Sequence, residues 1–236
     1  MPVLRADLHH HCDVDPVDHL TYSAVDLIDR ARSHGIQAMA ITPHGSVFES
    51  PTATQYARDQ GVLLINGIEK MIEDREVVLL NVRAEEIPRR MTFQDLAELR
   101  SARGASILVM APHPFYPRPT CVGPVLDTHA DLFDAVEYAH LYTWFWNPNR
   151  AAVAWAKAHG KAVLANTDTH DLSALGRNYT EIEAEGFTVE ALFSAIRAGR
   201  TRLLSRPPNP MEWSRFIVGS AYQVGRRLWN SSPGKQ

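Results

Sequence analysis

Val3-Leu4-Arg5-Ala6-Asp7-Leu8-His9-His10-His11 is the stretch on which the fold turns. An apolar run leads straight into three histidines, and a strand over Val3 to Leu8 sends alternate side chains to opposite faces. Asp7, His9 and His11 then share one face, with neighbours on it roughly 6.5 Å apart. Two imidazoles at that spacing can lean onto a single cation, and the carboxylate of Asp7 behind them is expected to orient the rings. The run holds only three histidines and they end a well-formed strand, so they read as a metal site and not as the remnant of a tag.

Outward from this segment, apolar strand-like runs alternate with helical patterns, which predicts parallel strands with helices outside. Ser23 and Asp26 form a capping box for a helix through Arg32, with Val25, Leu27, Ile28 and Ala31 on its buried side and Gly35 as its stop. Ile36 to Thr42 is a strand ending in Pro43-His44-Gly45, and Ser50-Pro51 opens a helix to Gln60. Gly61 to Ile65 is a third strand, ending near Gly67-Ile68-Glu69 and turning into a hairpin partner from Glu76 to Val82. Thr92 with Asp95 begins a helix to Arg103, and Ser106 to Met110 is a strand running into Ala111-Pro112-His113-Pro114. Phe133 to Tyr138 leads to His140. A helix opened by Asn147-Pro148 ends at Gly160, Ala162 to Asn166 runs into Asp168-Thr169-His170, and Thr188 caps a helix to Ala198. Residues 211–229 carry Trp213, Phe216, Ile217, Ala221, Val224 and Leu228 at helical spacing. That helix is expected to close one end of the core, a homo-oligomer contact or a membrane-surface role being the other uses of such a face.

Composition narrows the class. A chain of 236 residues with 45% apolar and 22% charged content buries a full core as an ordinary globular protein. No apolar run is long enough for a transmembrane segment, and no basic-then-apolar leader opens the chain, so a cytoplasmic location is expected. Cys12 and Cys121 are too few for a disulfide framework. Cys12 is a weak thiolate candidate beside donors that are otherwise nitrogen and oxygen. From Arg197 onward the balance is +7, against −10 for the rest of a chain of net charge −3. The basic end reads as a solvated helix face, and the acidic remainder argues against stable nucleic-acid binding. No repeat or linker divides the chain, so a single domain over residues 1–236 is expected, with residues 205–236 a basic helical extension.

The strand ends carry a pattern of their own. Each apolar run stops at a residue able to bind a metal: His9 and His11, then His44, Glu69, His113, His140, and Asp168 with His170. In a parallel barrel these ends open on one face. Packing alone does not gather so many ionisable groups, because burying them together is costly unless cations compensate.

Asp7-Leu8-His9-His10-His11, Ile41-Thr42-Pro43-His44, Gly67-Ile68-Glu69, Ala111-Pro112-His113-Pro114 and Thr167-Asp168-Thr169-His170 occur in the order seen in the PHP (polymerase and histidinol phosphatase) family, which the chain resembles from residue 6 to about 180. The resemblance implies a distorted (β/α)7 TIM-like α/β barrel and a metal-dependent phosphoesterase with two or three divalent ions, Zn, Mn or Fe. It implies that His9, His11, Glu69 and Asp168 hold one ion. Glu69 would bridge to a second held with His113, and His44 and His170 would serve a third position or act on the substrate directly. Among Asp15, Asp18 and His19, Asp15 is favoured as the further ligand after the first motif. Pro43 stands where the family commonly has Asp. Glu76 or Val78 stands where a further histidine is common.

A small phosphorylated substrate is expected, hydrolysed by water activated between the cations, with His170 or His44 protonating the leaving alkoxide. Arg177 is a candidate phosphate fork and His140 a candidate substrate contact. The aromatic cluster Tyr142, Trp144, Phe145 and Trp146 is expected to pack beneath a helix. A metal hydrolase of amides or lactones, and a non-catalytic metal or phosphate binder, are the competing readings.

Overall fold

The computed structural model describes residues 1–218. Its elements run β1 (Val3–Asp7), α1 (Ala24–Ser33), β2 (Ala38–Ile41), α2 (Pro51–Asp59), β3 (Leu63–Ile72), β4 (Arg75–Leu80), α3 (Phe93–Arg103), β5 (Leu108–Ala111), β6 (Ala135–Tyr138), α4 (Asn149–His159), β7 (Ala162–Ala165), β8 (Tyr179–Glu183), α5 (Val189–Arg197) and β9 (Thr201–Leu204), then a helix over 210–218. The nine strands form one sheet in the order β7-β6-β5-β4-β3-β2-β1-β8-β9. β9 also lies against β7, which curls the two edges of the sheet together into a nearly closed barrel. The expected distorted barrel is what the chain folds into.

The distortion has identifiable sources. β1, β2 and β3 are mutually parallel, as are β5, β6 and β7. β4 is antiparallel to both β3 and β5, because Glu73 and Asp74 make a tight turn with positive φ. β8 and β9 form a second antiparallel pair along β1, and the sequence reading did not anticipate either strand. Between β1 and β7, side chains replace a strand ladder: Asn166 Oδ1 accepts from Leu8 N at 2.8 Å, and Asp7 Oδ1 accepts from Thr167 N at 2.9 Å.

The barrel interior takes alternate residues of each strand, many of them small: Leu4, Ala6, Leu8, Ala38, Ala40, Val78, Leu80, Leu108, Met110 and Ala135, packed with Phe193 and Ile196 of α5. Two outer layers fill the space beneath α1 and α2 and beneath α3 and α4. In α1 the capping box forms as expected and Leu27, Ile28 and Ala31 are buried. Val25 is instead 41% exposed, because at about 100° per residue it falls more than a right angle from the centre of that stripe. Gly67 is where β3 comes closest to its neighbours: a Cβ there would lie 2.9 Å from both Thr42 and Leu80 side chains. That approach lets the strand continue to Glu69 at the barrel mouth.

At the opposite end, Arg197 of α5 donates from Nη1 to the Ala105 carbonyl at 2.9 Å, just before β5, so α5 covers the N-terminal ends of the parallel strands. Asp134 ties this end together. Its carboxylate accepts from Arg100 at 2.7 and 3.1 Å, from Arg197 Nε at 2.9 Å and from the backbone of Val109 at 2.9 Å. Two 3-10 turns, Gly123–Val125 and Ala130–Leu132, occupy the poorly patterned stretch before β6.

The packing expected of the aromatic cluster is overturned for three of its members. Trp144 is 82%, Phe145 91% and Trp146 42% exposed. The backbone of Thr143 donates to the Trp146 carbonyl at 2.8 Å, and Trp146 N donates to Thr143 Oγ1 at 2.9 Å. This turn lifts the two intervening rings away from the core. Tyr142 is buried, and Trp146 meets Tyr116 edge-on at 5.6 Å. The described part of the tail helix, expected to close one end of the core, lies over the barrel mouth, with Phe216 edge-on to His140 at 6.3 Å. Ala221, Val224 and Leu228 lie outside the described residues.

Candidate metal centre

The C-terminal ends of the parallel strands deliver the site. Beyond β1 and β2 the sheet continues only as single bridges, His10 with Thr169 and His44 with Glu69. These bridges bring the motif loops together over the barrel interior. His113 and Asp168 have positive φ, 31° and 46°. This region is uncommon for residues other than glycine, and it turns both side chains inward immediately after their strands.

Four groups converge most tightly. His9 Nε2 lies 3.2 Å from His11 Nε2, 3.3 Å from Glu69 Oε2 and 3.5 Å from Asp168 Oδ1. His11 Nε2 lies 3.4 Å from Glu69 Oε2 and 3.3 Å from Asp168 Oδ1. Donor atoms arranged tetrahedrally at metal–ligand bonds of ~2.0–2.2 Å are separated by about 3.3–3.6 Å, close to the five separations of 3.2–3.5 Å here. Asp168 Oδ1 and Glu69 Oε1 are buried with no hydrogen-bond partner among the described residues. A carboxylate oxygen left so in the interior is costly. Donor chemistry, spacing and orphaned oxygens therefore all fit a divalent cation, and the absence of thiolate among these four suits Zn, Mn or Fe alike.

Two further groupings share Glu69. On one side its Oε1 faces His113 Nε2 at 3.5 Å, with Glu76 Oε2 3.8 Å from the same nitrogen. Glu76 therefore stands where a further histidine was missing. Cys121 Sγ lies 3.4 Å from His113 Nδ1, a neighbour that no spacing in the sequence pointed to. On the other side, His44 Nε2 is 3.2 Å from Glu69 Oε2. The rings of His44 and His170 lie 4.3 and 4.4 Å from that of His11.

The orienting groups differ from expectation. Asp7 does not reach His9 or His11; β1 ends at Asp7, and its carboxylate takes Thr167 and lies 3.2 Å from His10 Nε2. His9 is oriented by Glu137, whose Oε1 is 2.9 Å from His9 Nδ1, while Oε2 accepts from His113 N at 2.9 Å. Glu137 was not singled out from sequence, although a lone carboxylate within the apolar run of β6 was the available signal. Asp15, expected as a ligand, has Oδ2 2.8 Å from His11 Nδ1 and 2.9 Å from His44 Nδ1, while Oδ1 accepts from Val17 N and Asp18 N. In this arrangement it aims two imidazoles. Asp18 reaches farther, with Oδ2 3.0 Å from His170 Nε2.

The electrostatics follow from burial and proximity. Burial disfavours the charged forms of His9, His11 and His113, but the carboxylates around His9 and His11, and at His113 the hydrogen bond with Cys121 followed by Glu69, outweigh it and hold all three well above the usual imidazole value. Burial likewise opposes ionisation of Glu69 and Asp168, and the neighbouring histidines reverse it and hold both well below the carboxylate range. Hydrogen bonds from His11 and His44 do the same for Asp15 against its burial. A divalent cation bound among these donors would displace the protons they share.

Above the cluster opens a cavity of about 710 Å³, walled in part by Tyr22, Tyr116, Leu141 and Phe216. His44, His113, Asp168 and His170 line its floor, and Arg118, His140 and Arg177 line its sides. Of the site residues expected from sequence, His44, Glu69, His113, His140, Asp168, His170 and Arg177 line this opening, and His9, His11 and Asp15 lie against them. Burial drives His140 down to about 3, so it stands there as a neutral ring.

Exchanging Glu137 for glutamine keeps its shape and removes the charge behind His9. We expect divalent-cation affinity to fall about 10–100-fold, measured by competition with a chromogenic chelator. An unchanged affinity would show that Glu137 does not support the cluster.

A family model described as the PHP domain matches residues 7–140, and one described as PHP-associated matches residues 146–201. The PolC-type DNA polymerase III of Thermotoga petrophila is 32% identical over 93 residues, covering 39% of this chain and 7% of the polymerase. The chain thus spans less than a tenth of that relative. Among solved structures, PsfC from Pseudomonas syringae PB-5123 superposes with a TM-score of 0.68 at 17% identity, covering 95% of this chain and 99% of that one. The lesion-specific endonuclease PfuEndoQ from Pyrococcus furiosus gives 0.58 at 17% identity, covering 86% and 58%. At these identities the structures establish a shared fold.

Proposed function

The chain belongs to the PHP family, one of metal-dependent hydrolases, and from that premise we propose that it hydrolyses phosphate esters of small molecules or nucleotides. The observation that carries this reading is the tetrahedral spacing of His9, His11, Glu69 and Asp168 beneath a cavity of small-molecule size. We assign one divalent ion to these four residues. A second falls to Glu69, His113 and Glu76, and a third position to His44, His170 and Asp18. Bound there, such ions neutralise phosphoryl oxygens and lower the pKa of an attacking water.

The protein's own contributions are holding and proton transfer. Glu137 and Asp15 fix the rings of His9, His11 and His44 so that the Nε2 atoms converge. His44 and His170 are 21% and 33% exposed at the side chain, whereas His9 and His11 are fully buried. Where no third ion is held, the first two meet the substrate and are assigned to protonate the departing alkoxide. A cavity of about 710 Å³ favours a small ester. A nucleic-acid end is the other substrate to try, given that one structural relative is a lesion-specific endonuclease.

The test is elemental analysis of the purified protein together with assays on p-nitrophenyl phosphate, bis(p-nitrophenyl) phosphate and a short oligonucleotide. Two or three divalent ions per chain with turnover of at least one ester is expected. Full metal loading with no ester cleaved, while an amide or lactone is, would replace this reading.

A further inference from the structure

Arg177 and Glu212 meet at the side of the cavity, on a loop and on the tail helix that have no part in the histidine cluster. Arg177 is nearly enclosed, its side chain 6% exposed, yet its charge is poorly answered. Nη1 lies 3.6 Å from Glu212 Oε2, longer than a hydrogen bond, and Nε has no partner among the described residues. Burial accordingly pushes the guanidinium below its usual value, with Glu212 opposing only in part.

Glu212 does not depend on this contact. It takes a fork from Arg206 at 2.8 and 2.7 Å, and accepts from Asn209 N at 2.7 Å in the capping box whose cap, Asn209, accepts from Glu212 N at 3.0 Å. It can leave Arg177 and remain fully bonded. A second unsatisfied group looks into the same space: His140 is 6% exposed and its Nδ1 has no partner among the described residues. It lines the same cavity as Asp168 of the acid–histidine cluster and Arg177. Arg215, near Ser173 at 3.5 Å, adds a further cation on the same wall.

We propose that Arg177, with His140, anchors a second anionic group of the substrate, and that Glu212 is an internal carboxylate holding that place until the anion arrives. The substrate class is then a small phosphate ester bearing another phosphate or a carboxylate, with its scissile end at the histidine cluster and its other end at Arg177. Planar bidentate geometry suits both anions. The assignment rests on the phosphoesterase reading for the scissile end, but the anchor itself is testable without catalysis.

The decisive measurement is calorimetric titration of the chelator-treated full chain with inorganic phosphate at low ionic strength. Removing the competing charge in Glu212→Gln is expected to tighten phosphate binding about tenfold, the size of a ~1.4 kcal/mol change. Adding Arg177→Met to that variant should abolish the gain, and Arg177→Lys should retain part of it, which guards against misfolding of either. Phosphate affinity unmoved by Glu212→Gln, or a gain that survives Arg177→Met, would overturn the anchor. In the metal-loaded protein, Glu212→Gln should raise kcat/KM for a carboxylated phosphomonoester relative to p-nitrophenyl phosphate, chiefly through KM. No turnover of either ester would count against the phosphoesterase reading alone, leaving the titration to decide the anchor.

Discussion

Replacing Asp168 by alanine is expected to remove about one divalent ion per chain and to lower turnover by about 10³-fold or more. Asp168 Oδ1 sits within 3.5 Å of three histidines, His9, His11 and His170, and has no other hydrogen-bond partner among the described residues. Its loss therefore opens the tetrahedron and leaves buried imidazoles without their counter-charge. His9→Ala should act alike, because His9 Nε2 faces both carboxylates of the same set. Metal content by plasma emission spectrometry and steady-state assays on the same preparations provide the check. Retained metal and activity in both variants would remove these residues from the chemistry.

The largest stability effect is expected far from the site. Asp134→Ala should cost about 3 kcal/mol, the low end for breaking a buried charge network, because Arg100 and Arg197 are partly exposed and regain water. For a chain of this size that is a drop in Tm of roughly 6–12 °C. Burial opposes the Asp134 charge, but hydrogen bonds from Arg100 and Arg197 hold its carboxyl below the usual value. A carboxylate lowered in this way stabilises the fold fully above its unfolded value, about 3.9. That stabilisation is lost as pH falls through the folded one. The difference between wild type and variant should accordingly be constant near neutrality and shrink below about pH 4. Calorimetric melts at pH 7 and in acid measure both; a gap that widened in acid would refute this account.

Much of the barrel and its mouth was legible in the chain. Apolar runs and caps such as Ser23–Asp26, Ser50, Thr92–Asp95 and Thr188 are local signals, and the observed helices begin at them. Ligand-type residues placed just after strands are also a local pattern, and parallel topology alone carries them to one rim. What was not legible involves partners distant in sequence. β8 and β9 were missed because strands of five and four residues carry little periodicity. The exposure of Trp144 and Phe145 depends on a turn closed by Thr143, which overrides hydrophobicity.

By itself, then, the sequence determined the helix starts, the hydrophobic alternation and which residue types stand at each strand end, since these follow from neighbours a few positions apart. Only tertiary structure decided which carboxylate serves which imidazole. Glu137 lies 128 positions from the His9 it orients, and Asp15 four positions from His11 and 29 from His44. Asp7, two positions from His9, serves Thr167 and His10 instead. The reason is physical: a buried charge takes the partner that the barrel's curvature brings within hydrogen-bond reach, and proximity along the chain does not set that curvature.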